Sequence, residues 1–220
     1  MSYTFQFRDV FASWEFLLSG ILTTLYLSFT AMALGFVVGI AGAAGRLYGQ
    51  AIVRHAVAAY VEAIRNTPLL VQLFVVFFGF PSLGIRLSAP TAAVVALTIN
   101  LGAYATEIIR AGLEAVPRAQ IEAGHALGLS GPQVFRYVVL FPALKMMFPA
   151  LASQFILLML ATSIVSQIAV EDLFHVASII QSRTFRDFEV YTVIGVLYFA
   201  LSLLFRAIFA GVYSAAFGRR

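Results

Sequence analysis

The chain has 220 residues, of which 61% are hydrophobic and 11% are charged, and its mean hydropathy is +0.94. This composition leaves too little polar surface to cover a soluble globule of that length, so it predicts an integral membrane protein. Cysteine is absent, which excludes disulfides, a thiolate nucleophile and cysteine-based metal sites. The net charge is +4, but no basic cluster with interleaved aromatic residues stands outside the apolar segments, so the pattern does not favour a nucleic-acid partner.

The N-terminal segment, residues 5–17, has an amphipathic pattern. Its apolar residues recur at helical spacing with charged residues between them, and they are Phe7, Val10, Phe11, Trp14 and Leu17. The segment predicts a helix lying in the membrane interface with Trp14 at headgroup depth. The alternative is an early start of the first membrane span. The segment opens on acidic and aromatic residues rather than a basic region before a short apolar core, so we expect no cleaved signal peptide.

Five apolar segments predict five membrane-spanning helices within a membrane core over residues 18–214. Their approximate bounds are 18–44, 68–80, 91–109, 143–168 and 191–213. The first is long enough to cross roughly 30 Å of hydrocarbon. Small residues recur at every fourth position along it, at Ala31, Gly35, Gly39 and Ala43. This stripe predicts a close approach of another helix.

The second span is short for a full crossing. Thr67 is the predicted N-cap and Pro68 the predicted first helical residue. We expect this span to continue from the preceding helix, which ends near Arg65, through a kink. Gln72 faces either the transport pathway or a neighbouring helix. The segment 81–90, which contains glycine and proline, predicts a loop.

The third span carries a polar stripe. Asn100, Tyr104 and Glu107 are spaced i, i+4 and i+7, which places them on one helix face. Unpaired polar side chains are costly in hydrocarbon, so each needs a partner or a cavity. For Glu107 an ion pair with Arg110 is favoured. For Asn100, which lies deeper, both a cavity and a helix–helix hydrogen bond are open.

Residues 114–142 predict a compact knob at the membrane surface. A short helix over 118–127 ends at Gly128, which suits a left-handed cap. A second helix begins at Ser130, where Gln133 gives capping-box spacing and Pro132 falls in the first turn.

The fourth span has polar residues near both ends. Gln154 is predicted to face a cavity, whereas for Thr162 and Ser163 a cavity and a hydrogen bond back to their own helix are equally favoured. Pro149 predicts a kink. Between the fourth and fifth spans, an amphipathic helical turn has one apolar face made of Leu173, Val176, Ala177 and Ile180.

The basic residues predict the orientation. Five spans place the two chain ends on opposite sides of the membrane. One side would hold ten of them, namely Arg46, Arg54, Arg65, Arg110, Arg118, Arg136, Lys145, Arg206, Arg219 and Arg220. The other side would hold four, namely Arg8, Arg86, Arg183 and Arg186. The richer side is predicted to be cytoplasmic, so the N-terminus lies outside and the knob and C-terminus lie inside.

The knob carries the clearest resemblance to a known family. Glu122, Ala123 and Gly124, then Gly128, and later Val138 and Leu140 resemble the EAA loop of ABC importer permeases. The chain departs from that pattern at Gly124, where the family has alanine, and at Pro142, which comes one residue late. Three further segments, 62–72, 100–110 and 182–189, are similar to the polar amino-acid branch of these permeases, so the resemblance covers almost the whole chain.

This resemblance implies an all-α permease subunit with five transmembrane helices of the type I importer kind, in a bacterial inner membrane. It implies that the knob is a coupling helix, with Arg118, Glu122, Ala123, Gly124 and Gly128 at the contact with a cytoplasmic ATPase. Its implied partners are an ATPase dimer, a second permease copy or paralogue, and an extracytoplasmic solute-binding protein. The chain itself has no Gly-x4-Gly-Lys-Ser/Thr loop, so we expect ATP and Mg²⁺ to be bound by the partner ATPase and no cofactor by this chain.

The expected cargo is an amino acid or similar small polar solute. The predicted substrate-binding residues are Gln72, Asn100, Tyr104, Gln154, Thr162 and Ser163. Relatives that carry basic amino acids typically have an acid near the position of Gln154 and charged residues near Leu160 and Ala161. All three are uncharged here, which favours a substrate with an uncharged side chain.

Two alternative functions would need features that differ from these. A secondary transporter or channel would need intramembrane acids or bases for ion coupling, and Glu107, near the cytoplasmic end, is the one candidate. An intramembrane enzyme would need a Ser/Lys, Asp/Asp or metal-ligand set within the bilayer. The sequence shows none, and His55, His125 and His175 lie in different segments. We therefore expect no enzymatic activity.

Overall fold

The structure, a computed structural model, describes residues 4–218, and this range is helical apart from short connections. Arg219 and Arg220, which contribute to the predicted charge asymmetry, lie outside the described residues. The helices are α1 (Arg8–Ala12), α2 (Trp14–Tyr48), α3 (Ala51–Arg65), α4 (Leu69–Ser82), α5 (Ala89–Glu114), α6 (Arg118–Ala126), α7 (Gly131–Ile168), α8 (Leu173–Thr184) and α9 (Asp187–Phe217).

Within the described range, four helices are long and apolar enough to cross a membrane: α2, α5, α7 and α9. A fifth crossing is available if α3 and α4, bent by 111° at the break between them, count as one broken span. The prediction of an all-α membrane fold is confirmed, and the four or five candidate spans agree with the predicted five. The helices extend past the predicted spans because hydropathy marks the hydrocarbon-embedded part of a helix and not its continuation into the interface.

The helix pair α2 and α5 forms the centre of the bundle. A Cβ atom added to Gly35 would lie 2.8 Å from Cβ of Leu101, and one added to Gly39 would lie 2.4 Å from Cβ of Ala105. Ala31 and Ala43 of the same stripe are buried. The small-residue stripe therefore forms the predicted close helix contact, because small residues let the two backbones approach more closely than larger side chains would allow.

The bend between α3 and α4 differs from the prediction in its capping. Thr67 does not cap α4, because its hydroxyl donates to the carbonyl of Ala63, 2.8 Å away, at the end of α3. Pro68 occupies the N-cap position in an extended conformation, and α4 begins at Leu69. The Gln72 amide donates to two carbonyls at the bend, to Ile64 O at 2.8 Å and to Thr67 O at 3.0 Å. A side chain of α4 therefore closes the end of α3, and the start of α4 has no side-chain cap from the described residues.

The knob has the predicted turn. Gly128 has φ +77°, its amide donates to the carbonyl of His125, and the amide of Leu129 donates to the carbonyl of Gly124, 3.2 Å away. This is the hydrogen-bonding pattern of a left-handed glycine cap. The capping box of Ser130 and Gln133 is formed, with Oε1 of Gln133 2.8 Å from the Ser130 amide.

The knob's second helix is not separate from the fourth span, in contrast to the prediction. The helix α7 is continuous from Gly131 to Ile168. It contains a π-helical turn over Phe135–Val139, just before Pro142, and a 3₁₀ turn over Thr162–Ile168. Local π adjustments let a helix accept a proline inside a membrane protein, which explains why Pro142 does not end the helix. The helix also runs on through Pro149.

The elements on the predicted extracytoplasmic side pack as the amphipathic pattern predicts. All four predicted residues of the apolar face of α8 are buried. The helix meets α2 closely, since a Cβ atom on Gly20 would lie 2.9 Å from Cα of Leu173. The predicted interfacial segment 5–17 is divided at Ser13, and α2 already begins at Trp14. The depth of this segment in a membrane stays a prediction.

Candidate functional site

Two amides meet in the interior of the bundle. Nδ2 of Asn100 on α5 donates to Oε1 of Gln72 on α4 at 3.0 Å, and both side chains are buried. The two residues are 28 positions apart in the chain. Gln72 also donates to Ile64 and Thr67, so one side chain joins α5 to the α3–α4 bend. The structure thus brings together two of the predicted substrate-binding residues and pairs them with each other.

Tyr104 lies one turn further along α5, beside a charged network at the predicted cytoplasmic end. The guanidinium carbon of Arg65 lies 5.4 Å from the centre of the Tyr104 ring, within the range of a cation–π contact. Glu107 accepts from Nη2 of Arg110 at 2.8 Å, as its spacing predicts, and lies 3.8 Å from Nε of Arg46. The polar stripe therefore changes from amides in the interior to ion pairs near the end of the helix.

The predicted residues of α7 have unequal access to a ligand. The 3₁₀ turn over Thr162–Ile168 packs against α4 and α5, the two helices that carry the paired amides. Thr162 is fully buried and its hydroxyl donates to the carbonyl of Met159 at 2.7 Å. Ser163 is half-buried and its hydroxyl donates to the carbonyl of Leu160 at 2.9 Å. Gln154 is half-buried and lies about two and a half helical turns closer to the knob. Ser163 and Gln154 can therefore be reached by a ligand more readily than Thr162.

The knob presents a polar outer face and an apolar inner one. Arg118, Glu122, Ala123 and Gly128 are exposed, whereas Gly124 is buried. A Cβ atom on Gly124 would lie 3.2 Å from Val134 and 3.3 Å from Val138, both on α7. The glycine at the position where the EAA pattern has alanine therefore lets α6 settle against α7.

The comparisons with known proteins decide which family has this arrangement. Residues 31–217 match the family described as binding-protein-dependent transport system inner membrane component. The chain belongs to this family. It is a permease subunit of an ABC importer and a protein of the inner membrane.

Individual relatives are similar to this permease over most of its length. A probable glutamine ABC transporter permease protein of Bacillus subtilis is 38% identical over 190 residues, which are 85% of this chain and 87% of the relative. An L-cystine transport system permease protein of Bacillus subtilis is 39% identical over 77% of this chain and 73% of its own length. A crystal structure of an amino acid ABC transporter with histidines superposes with a TM-score of 0.90 at 37% identity, covering 97% of this chain and all of that one.

A polar cluster at the predicted extracytoplasmic end of the permease was missed by the sequence analysis. Asp172, between α7 and α8, is fully buried. Its Oδ1 accepts from the amide of His175 at 2.9 Å and its Oδ2 accepts from the hydroxyl of Tyr198 at 3.1 Å. Thr24 of α2 accepts from the amide of Leu173 at 3.1 Å. The sequence signal was an Asp at N-cap spacing before the apolar face of α8, but its partners on α2 and α9 are far away in the chain.

Two more features of the permease were not singled out by sequence reasoning. Arg65 lines a cavity with Glu107, although α3 appeared only as a lead-in to the second span. Leu127 is 82% exposed at the tip of the knob. The sequence signal for this exposed position was its place directly before Gly128. For metals, residues 4–218 contain no group of three or more His, Cys, Asp or Glu side chains that could hold an ion.

Proposed function

We propose that this permease carries an amino acid with an uncharged side chain, and that its mid-membrane binding site is built around the Asn100–Gln72 pair. The pair is the observation that carries the proposal, because two buried amides facing each other are an expensive feature inside a membrane bundle. They offer donors and acceptors that can exchange a mutual hydrogen bond for bonds to a polar ligand. The glutamine and L-cystine permeases among its relatives support an amino-acid cargo.

The proposed site also includes Tyr104 as a wall and Gln154 and Ser163 as hydrogen-bonding groups. Thr162 would pack behind the site without contacting the ligand, since its side chain is fully buried. None of these side chains is charged, and neither are Leu160 and Ala161. A cationic side chain moved from water into such surroundings would lose several kcal/mol of hydration without a countercharge. Uncharged amino acids are therefore the favoured substrates.

The proposed partners follow from what this chain lacks and what it exposes. It has no phosphate-binding loop, so two cytoplasmic ATPase subunits would bind ATP and Mg²⁺ and this chain would perform no covalent chemistry. The outer face of α6, with Arg118, Glu122 and Ala123, would dock into an ATPase cleft, and Leu127 would be covered there. A second permease copy or a paralogue would complete the pathway, and a solute-binding protein would deliver the substrate.

The substrate proposal is tested by uptake into vesicles that contain the purified complex, the binding protein and internal ATP. A panel of neutral, acidic and basic amino acids is compared. We expect uptake of uncharged amino acids, with a loss of about tenfold or more in Asn100→Ala and in Gln154→Ala. Thr98→Val on the same helix is the matched control, because the buried Thr98 hydroxyl has no hydrogen-bond partner in the described range. Strong lysine or arginine uptake that survives both alanine variants would defeat the proposal.

The docking proposal has a separate test. Glu122→Lys reverses one exposed charge on α6 and should reduce co-purification of the ATPase with this permease. Glu171→Lys, the same charge reversal at an exposed acid outside the knob, controls for charge alone. An unchanged ATPase yield with Glu122→Lys would contradict the assignment of α6 as the docking element.

A further inference from the structure

A cavity of about 470 Å³ opens where α3 ends beside α5 and α7. Arg65 and Glu107 line one side of it, and Met146, Met147 and Ala150 of α7 line the other. It lies along the same face of α5 as Asn100 and Tyr104, on the predicted cytoplasmic side of the paired amides. Cavities that hold small ligands have volumes of roughly 300–1,000 Å³, so an amino acid fits.

Arg65 is the one guanidinium of this charged cluster that forms no salt bridge within the described range, although it attracts Glu107 from a greater distance. Glu107 is engaged by Arg110 and Arg46, and Glu114 is engaged by Arg110. Glu62, one turn before Arg65, accepts a hydrogen bond from Asn66 at 2.9 Å. What holds the Arg65 side chain is the face of the Tyr104 ring. The ring fixes the guanidinium at the cavity and leaves its N–H groups available.

Two charged side chains line this cavity, Arg65 and Glu107. Glu107 is already paired with Arg110 and Arg46, so Arg65 is the charge that stays available to a ligand. A positive charge in this position attracts a carboxylate and repels a cation. A guanidinium also presents parallel donors that match a carboxylate in a bidentate arrangement.

We propose that Arg65 binds the α-carboxylate of the transported amino acid in a second site, on the cytoplasmic side of the Asn100–Gln72 pair. This inference rests on the proposed function, since it takes the cargo to be an amino acid. The substrate leaves the paired amides, places its carboxylate on Arg65 and its side chain against Met146 and Met147. Methionine side chains are flexible and polarisable, so they adapt to side chains of different shape. The site then releases its ligand to the cytoplasm.

The first experiment measures carboxylate recognition directly. The purified, nucleotide-free permease–ATPase complex, without binding protein, is titrated by calorimetry with glutamine and with glutaminamide, which lacks the carboxylate. We expect wild type to prefer glutamine by about tenfold, the size of one charge-assisted hydrogen bond in a partly exposed site. Arg65→Gln should abolish the preference, and Arg65→Lys should keep part of it. Arg54→Gln, on the same helix but away from the cavity, should leave it intact. Equal affinity of wild type for the two ligands, including no binding of either, overturns the proposal.

The second experiment separates this proposal from the function on which it rests. In vesicles with the binding protein, Arg65→Gln should lower the maximal uptake rate several-fold and leave the half-saturating substrate concentration unchanged, because the binding protein sets it. A maximal rate equal to that of wild type overturns the exit site but leaves amino-acid transport standing. A wild-type complex that hydrolyses ATP and takes up no amino acid of the panel overturns the proposed function instead. A lower thermal midpoint of Arg65→Gln, with no rescue by lysine, would assign Arg65 a structural role and also overturn the proposal.

Discussion

Asn100 and Gln72 are joined by a hydrogen bond of 3.0 Å between Nδ2 and Oε1, and this bond connects α5 to the bend between α3 and α4. The same Gln72 amide holds the carbonyls of Ile64 and Thr67. The two ends of Gln72 therefore have separable tasks. Its side-chain oxygen accepts the hydrogen bond from Asn100 on α5. Its side-chain nitrogen donates to the carbonyls at the end of α3.

Substitutions at Gln72 should separate these tasks. Gln72→Glu keeps an acceptor for Asn100 but loses the donor to Ile64 and Thr67, whereas Gln72→Ala loses both. We expect Gln72→Ala to destabilise the permease by about 1–3 kcal/mol, since it leaves buried polar groups unpaired. The thermal midpoint in detergent is the measurement, and the Gln72→Ala/Asn100→Ala double-mutant cycle isolates the pair. Strictly additive single effects would show that the bond contributes nothing.

The close approach of α2 and α5 predicts a different sensitivity at two glycines. Gly39→Ala would push a methyl group to 2.4 Å from Cβ of Ala105, and overpacking of this kind costs about 1–3 kcal/mol. Gly195→Ala, on α9, meets nothing within 4 Å and is the matched control, which should be neutral or slightly stabilising. The comparison is read from thermal midpoints of the purified proteins. Equal midpoints for both variants would contradict close packing along the stripe.

The turn of the knob predicts which residues Gly128 can be replaced with. Its φ of +77° is left-handed, and a Cβ atom there would meet no atom of residues 4–218 within 4 Å. The penalty of Gly128→Val is therefore conformational, about 1–2 kcal/mol, and added bulk would act only on a bound ATPase. We expect Gly128→Val to reduce transport-coupled ATP hydrolysis with the spans still inserted. Gly128→Asn, which tolerates this conformation, should retain coupling, and normal coupling in Gly128→Val would argue against docking through the knob.

The predicted orientation is tested by two cysteines introduced into the cysteine-free chain. Gln50 lies between α2 and α3, and Ser182 lies near the end of α8, and both are exposed. In oriented membrane vesicles, Gln50→Cys and Ser182→Cys should react with a membrane-impermeant thiol reagent from opposite sides. Ser182→Cys should label from outside. The unmodified chain provides the background, and labelling of both positions from one side would overturn the five-span topology.

The buried carboxyl of Asp172 predicts a pH dependence. Burial raises the pKa of Asp172 to about 6, against which the hydrogen bonds from His175 and Tyr198 act less strongly. Because the folded-state pKa lies above the unfolded one, this group's contribution to stability is complete below about pH 4 and is lost as the pH rises through 6. Asp172→Asn removes the ionisation, so its thermal midpoint should fall less than that of wild type between pH 5 and 7. Glu171→Gln, at an exposed neighbour, is the control for surface charge. Parallel curves for Asp172→Asn and wild type would contradict a buried titrating group.

The sequence by itself determined the features that repeat locally along the chain. The spans follow from hydropathy, the close approach of another helix to α2 follows from small residues at every fourth position, and the buried face of α8 follows from its apolar spacing. The turn at Gly128 and the capping box at Ser130 are equally local, since each depends on residues within one helical turn. The Glu107–Arg110 ion pair is also local, because its two residues are three positions apart.

The tertiary structure alone decided which distant polar groups meet. Asn100 pairs with Gln72, which is 28 residues away in the chain, and Arg65 stacks on Tyr104, which is 39 residues away. Asp172 accepts a hydrogen bond from Tyr198, which is 26 residues away. It also left α4 without the predicted Thr67 cap, used Gln72 to close the end of α3, and joined the knob to the fourth span in one helix. The physical reason is that a polar side chain on an apolar helix indicates that a partner is required but does not identify that partner. Among helices in a membrane, packing and interhelical hydrogen bonds select that partner, and apolar periodicity does not encode them.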